Sequence, residues 1–210
     1  MGKVILFDFW GTLVENGIPS PIKQVKNVLG IYIPFSEYVK RMESAMMTKN
    51  FPSLREAFIA VCEEFKVEPT EFIIDQLIGL WNKSWMLASI YEDTEEVLAD
   101  LQKDYTLVLV SNTDSFSIKN VFEKFSLGKY FTKIYFSCEL GNIKTDKEFI
   151  PAILKDLNVE AKDCVFVGDS ILSDMAAAKN AGIRGILIDR KNCREYEPKI
   201  ISLQELKNIL

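Results

Sequence analysis

The chain has 210 residues, 48% of them hydrophobic and 26% charged, with a formal net charge of −5, which suits one α/β domain or one domain with a modest insert. The mild charge and the lack of a long basic run disfavour a nucleic-acid partner, and no segment approaches the ~18 apolar residues of a membrane helix. Histidine is absent and Cys62, Cys138, Cys164 and Cys193 are scattered, which removes every imidazole-based mechanism and argues against a disulfide framework or a thiolate zinc site.

The chain opens with Val4-Ile5-Leu6-Phe7, a short apolar run that reads as a buried strand and stops at Asp8, with a glycine turn at Gly11. It is too short for a signal peptide, so a soluble cytoplasmic protein is expected. From about Ile18 to Trp85 no strand is apparent, and helical patterns follow one another. Pro21–Leu29 is the first. Ser36–Met47 carries Tyr38, Val39, Met42 and Met46 at helical spacing. Ser53–Phe65 carries Leu54, Ala57, Phe58, Val61, Cys62 and Phe65, with Ser53 as N-cap and Glu56 completing a capping box. Thr70–Trp85 carries Phe72, Ile73, Leu77, Leu80 and Trp81.

Beyond this region strands and helices alternate. Asp93–Lys103 is helical, Thr106–Val110 a strand, Ser115–Lys124 a helix and Ile134–Phe136 a strand. Glu148–Leu157 is a helix, with Pro151 in its first turn. Cys164–Val167 is a strand, Met175–Lys179 lies in a helix, and Gly185–Ile188 is the last strand. Short Val- and Ile-rich strands separated by helices predict an α/β fold, a parallel sheet covered on both faces. The expected division is a core of residues 1–16 and 88–210 and a small all-helical insert of residues 17–87 above the carboxyl edge of the sheet.

In such a sheet ligands bind outside the carboxyl ends of the strands. Three strands end there in reactive residues: Val4–Phe7 in Asp8, Thr106–Val110 in Ser111-Asn112, and Cys164–Val167 in Gly168-Asp169. Asp8 and Asp169 would repel unless a cation lay between them or one kept its proton. With oxygen ligands only, Mg²⁺ is the natural cation. Asp174, five residues beyond Asp169, is placed to reach the metal through its waters.

The set resembles the haloacid dehalogenase-like (HAD) hydrolases along nearly the whole chain. Motif I is Asp8-Phe9-Trp10-Gly11-Thr12, and motif II is Ser111-Asn112. Motif III is Lys144 within Gly141-Asn142-Ile143-Lys144-Thr145-Asp146, with Thr145 where the family usually has proline. Motif IV is Gly168-Asp169-Ser170-Ile171-Leu172-Ser173-Asp174. The resemblance implies a Rossmann-like core with a helical cap inserted after motif I. It implies Asp8 as nucleophile, Lys144 as a catalytic and phosphate-holding ammonium, and Ser111 and Asn112 as phosphate-binding residues. It also implies Mg²⁺ held by Asp8, the backbone carbonyl of Trp10 and Asp169, with Asp174 acting through water.

Trp10 departs from the phosphatase pattern. Family phosphatases carry there a second aspartate that protonates the leaving group, help typically worth ~10²–10⁴ in rate. The superfamily's 2-haloacid dehalogenases also have an aromatic at this place, since halide leaves without a proton. They need no metal, however, and resemble Ser-Ser-Asn-x-x-Asp where this chain has Gly168-Asp169. The expectation is therefore a Mg²⁺-dependent phosphatase of a small phosphorylated metabolite. The alternatives are a metal-independent 2-haloacid dehalogenase and a noncatalytic phospholigand-binding protein.

Overall fold

The computed structural model describes residues 3–210. Val4–Phe7 (β1) is followed by a tight turn into Val14–Glu15 (β2), and then by four helices, Pro21–Val28 (α1), Phe35–Met46 (α2), Leu54–Phe65 (α3) and Glu71–Met86 (α4). Ser89–Ile90 (β3) leads back to alternating elements: Thr94–Leu101 (α5), Thr106–Ser111 (β4), Ser115–Phe125 (α6), Lys133–Phe136 (β5), Ser137–Leu140 (α7) and Phe149–Leu157 (α8). The chain ends through Cys164–Gly168 (β6), Ala176–Asn180 (α9), Arg184–Ile188 (β7), Lys199–Ile200 (β8) and Leu206–Ile209 (α10).

Six strands form one parallel sheet in the order β5-β4-β1-β6-β7-β8. β1 lies in the middle, with Val4 in register with Thr106 on one side and with Cys164 on the other. Successive side chains of a strand point to opposite faces, and both faces here are dry. Ile5 and Phe7 pack with Val97, Leu98, Ile118 and Val121 of α5 and α6. Val4 and Leu6 pack with Ile150 and Ile153 of α8 and Ala177 of α9. This double burial is why β1 reads as a continuous apolar run. The strand order departs in both directions from β1, so the crevice at its carboxyl end is the switch point where α/β sheets bind ligands.

Helices α1–α4 build a core of their own from Val25, Tyr38, Met42, Met46, Phe58, Val61, Ile74, Leu77 and Trp81. Ser53 caps α3, accepting the Arg55 N–H at 3.2 Å. Glu56 differs from the expected capping box, because its carboxylate meets the Ser53 hydroxyl rather than the backbone. Phe72, placed by periodicity among the packing residues of α4, is 71% exposed.

The two chain crossings between the helical layer and the sheet pair with each other: β2 and β3 form an antiparallel ribbon, Val14 opposite Ile90. Gly17 sits where this ribbon meets α4. A Cβ there would stand 2.4 Å from Leu87 Cβ and 2.6 Å from its carbonyl carbon. The glycine thus permits a close approach. None of the described helices is long and apolar enough to cross a membrane.

Candidate active site

The floor of the site is set by strand ends. Asp8 follows β1 and still donates its N–H to Val167 O at 2.9 Å, so the ladder with β6 fixes its backbone. The residue is 5% exposed; Oδ2 accepts from Thr12 Oγ1 at 3.2 Å and Oδ1 accepts from Lys144 Nζ. Lys144, 3% exposed, also donates to Asp174 Oδ1 at 2.7 Å. Burial opposes its charge, and the two carboxylates more than reverse that, holding the ammonium above the ordinary lysine value. Asp8 is raised, mainly by burial, with Lys144 opposing and Asp174 adding to the shift.

Asp174 arrives by a route the sequence did not announce. Residues Ile171–Met175 form a wider π turn ahead of α9, and Asp174 Oδ2 accepts the Ser170 N–H at 2.9 Å. Single π turns recur at functional sites because they re-aim one side chain. Gly11, at φ 78°, lets the motif I turn pass beside Asp169; a Cβ there would lie 2.6 Å from Asp169 Oδ2.

One carboxylate oxygen each of Asp8, Asp169 and Asp174 lies within 4.8 Å of the others. Asp169 is raised well above the carboxylate range, by burial first and then by Asp8 and Asp174, with Arg194 and Lys144 opposing. Lys144 therefore does not neutralise the cluster. An all-oxygen, anionic donor set of this kind fits a hard divalent cation such as Mg²⁺. Arg194, a residue sequence reading passed over, reaches the Asp169 carbonyl through Nη1 and its carboxylate at 3.8 Å through Nη2.

At the end of β4, Asn112 Oδ1 accepts the Lys144 backbone N–H at 2.9 Å, and Nδ2 donates to Glu43 Oε2 of α2 at 2.8 Å. Ser111 is placed differently from expectation. It is fully buried, its hydroxyl lies 3.5 Å from the Asn112 carbonyl, and it does not line the cavity. Glu43 escaped sequence reading too. Its signal was a lone acid on the stripe Val39, Glu43, Met47, one turn apart along an otherwise packing helix.

Between sheet edge and helical layer lies a cavity of about 400 Å³. Its lower wall holds Asp8, Trp10, Asn112, Lys144, Asp169 and Asp174, and its upper wall Phe35, Val39, Glu43, Met47, Trp81 and Trp85. Trp10 is half-buried, edge-on to Phe9 at 5.0 Å between centroids, and donates its indole N–H to Thr113 Oγ1 at 3.2 Å. It thus both packs and lines the cavity. Asp114 caps α6, Oδ1 accepting from the N–H groups of Phe116 and Ser117 at 3.0 and 2.8 Å.

Residues 5–188 match the family model of the haloacid dehalogenase-like hydrolases. Phosphoglycolate phosphatase 1 of Pseudomonas aeruginosa is 24% identical over 185 residues, 87% of this chain and 67% of that one. Glyceraldehyde 3-phosphate phosphatase of Methanocaldococcus jannaschii is 28% identical over 229 residues, 100% of this chain and 97% of that one. Among solved structures, the 2-haloacid dehalogenase of Pseudomonas syringae pv. Tomato superposes with a TM-score of 0.66 at 19% identity, covering 99% of this chain and 97% of that one. This last likeness is one of fold alone.

Proposed function

Since the chain belongs to the haloacid dehalogenase-like hydrolases, we propose that this hydrolase is a Mg²⁺-dependent phosphatase of a small phosphorylated metabolite, working through a phosphorylated Asp8. The observation that carries this reading is the group of buried Asp8, Lys144 and Asp174 with the half-buried Asp169 at one sheet edge. Asp8, the carbonyl of Trp10 and Asp169 would hold the cation, with Asp174 reaching it through water, and residues 17–87 would act as the cap. Bound there, the cation neutralises charge on the carboxylates and on the phosphate oxygens.

Asp8 attacks phosphorus through a carboxylate oxygen, and an acyl phosphate forms as the ester oxygen departs. Lys144, tethered between Asp8 and Asp174, keeps the nucleophile aimed and places an ammonium beside the incoming phosphate. Asn112 fixes the Lys144 backbone and offers its amide at the same edge. The helical layer roofs the cavity, and its closure over bound substrate would exclude bulk water, which strengthens these electrostatic contacts.

Trp10 favours one competing reading, dehalogenation, because an indole supplies no proton to a leaving group. The raised Asp169 weighs against it: a second carboxylate beside Asp8 is costly without a cation. The experiment is a screen of phosphate esters and 2-haloacids with and without Mg²⁺, beginning with phosphoglycolate and glyceraldehyde 3-phosphate, the substrates named for its relatives. Metal-dependent phosphate release supports the reading. Halide release without metal and no phosphatase activity would replace it with dehalogenation.

A further inference from the structure

An alkyl phosphate ester needs a proton on its departing oxygen, and position 10 provides none. Five acidic residues line the cavity: Asp8, Glu43, Asp114, Asp169 and Asp174. Asp8 and Asp169 are claimed by nucleophile and cation. Asp174 spends one oxygen on Lys144 and the other on the Ser170 N–H. Asp114 spends one on the N-terminus of α6 and the other on the Trp81 indole. Glu43 remains.

Glu43 is only 8% exposed, and it enters the cavity from above, with Val39 and Met47 one turn before and after it also on the wall. Its Oε2 accepts from Asn112 Nδ2 at 2.8 Å, while Oε1 has no hydrogen-bond partner among the described residues. The orientation of the Asn112 amide is forced, since its oxygen already takes the Lys144 N–H. The carboxyl is therefore pinned by one oxygen and free at the other, two hydrogen bonds from the residue that holds Asp8.

We propose that Glu43 is the acid–base residue of the reaction, supplied by the cap in place of the aspartate that Trp10 displaces; this rests on the phosphatase reading above. As Asp8 bonds to phosphorus, the bond from phosphorus to the ester oxygen breaks. That oxygen keeps the bond pair and takes the Glu43 proton, giving a neutral alcohol and a Glu43 carboxylate. The carboxylate then accepts a proton from the water that attacks phosphorus, the bond to Asp8 breaks with its pair returning to Asp8, and both groups are reset. Burial first of all, then Asp174 and Asp8, raise this carboxyl to about 7, against the Asn112 hydrogen bond and Lys144, so the protonated form is populated near neutral pH.

The test is Glu43→Gln, whose amide oxygen still accepts from Asn112 and so keeps any positioning role while removing the proton. kcat/KM reports the steps through departure of the leaving group, and it is measured with Mg²⁺ on an alkyl phosphate and on 4-nitrophenyl phosphate. A loss of ~10²-fold or more on the alkyl ester, at least ~10-fold larger than the loss on the nitrophenyl ester, is expected. Equal losses on both esters, or none, would overturn the proposal. The wild type gives a second reading without any variant: kcat/KM across esters should depend weakly on leaving-group acidity, and a steep dependence would overturn it too. Wild type that hydrolyses no phosphate ester at all would instead remove the phosphatase reading, and this inference with it.

Discussion

The Trp81 indole N–H donates to Asp114 Oδ2 at 2.9 Å, a hydrogen bond that joins helix α4 of the helical layer to the N-cap of α6 at the sheet edge. Both groups are buried, so the bond forms where water does not compete. It fastens the roof of the cavity to the loop that carries Asn112.

Trp81→Phe should loosen that fastening. The ring that packs on Phe58 is largely kept, but the donor is lost and a buried carboxylate oxygen is left unpaired, at a cost of about 1–3 kcal/mol. Urea unfolding should show the loss, and KM should rise more than kcat falls. Unchanged stability with unchanged KM would mean that the bond holds nothing.

Gly17→Ala should destabilise the protein by about 1–3 kcal/mol. The new methyl would meet Leu87 Cβ at 2.4 Å and its backbone at 2.6 Å, and backbone does not yield as a flexible side-chain tip would. A lower urea midpoint with an unchanged slope is expected. A midpoint equal to wild type would show that the crossing adjusts freely.

Stability of the metal-free protein should fall as pH rises. Folding raises Asp8 from 3.8 to about 6, Asp169 from 3.8 to about 8 and Glu43 from 4.5 to about 7, burial being the largest cause in each. Across that window the folded state holds more protons than the unfolded chain, so stability is lost with increasing pH. Lys144 stays charged throughout it and contributes no slope. Mg²⁺ should restore stability at the upper end, since it binds the ionised carboxylates. Unfolding midpoints measured with and without Mg²⁺ across this range check the sign, and a rise with pH in the absence of metal would contradict it.

Much of the architecture could be read from apolar periodicity alone. Every helix and strand expected from Val4 to Ile188 is present within two residues, because the central strands are buried on both faces and each helix on one. The pieces that escaped are those without a periodic signal. β2, β3 and β8 have only two residues each, and their pairing is decided by the chain crossings. At the site, Asp8, Asn112, Lys144, Asp169 and Asp174 converge as strand ends and motif spacing imply. Glu43, Trp81 and Arg194 did not show, since what brings them in is the docking of one layer on the other. Ser111, which the motif named, lies fully buried at the end of β4 and off the cavity wall.

Asp169→Ala should abolish Mg²⁺ binding measured by calorimetry, as it removes the carboxylate with the least compensation from Lys144. Wild-type binding heat in that variant would place the cation elsewhere.

The most direct measurement is phosphate release by Asp8→Asn beside wild type, with Mg²⁺ and with folding checked by circular dichroism. The amide can still meet Thr12, and Lys144 keeps Asp174 as a partner, so the fold should survive. Turnover is expected to fall by ~10⁴-fold or more, as when an enzyme loses its nucleophile. A folded Asp8→Asn protein that releases phosphate at the wild-type rate would contradict an Asp8 phosphoenzyme.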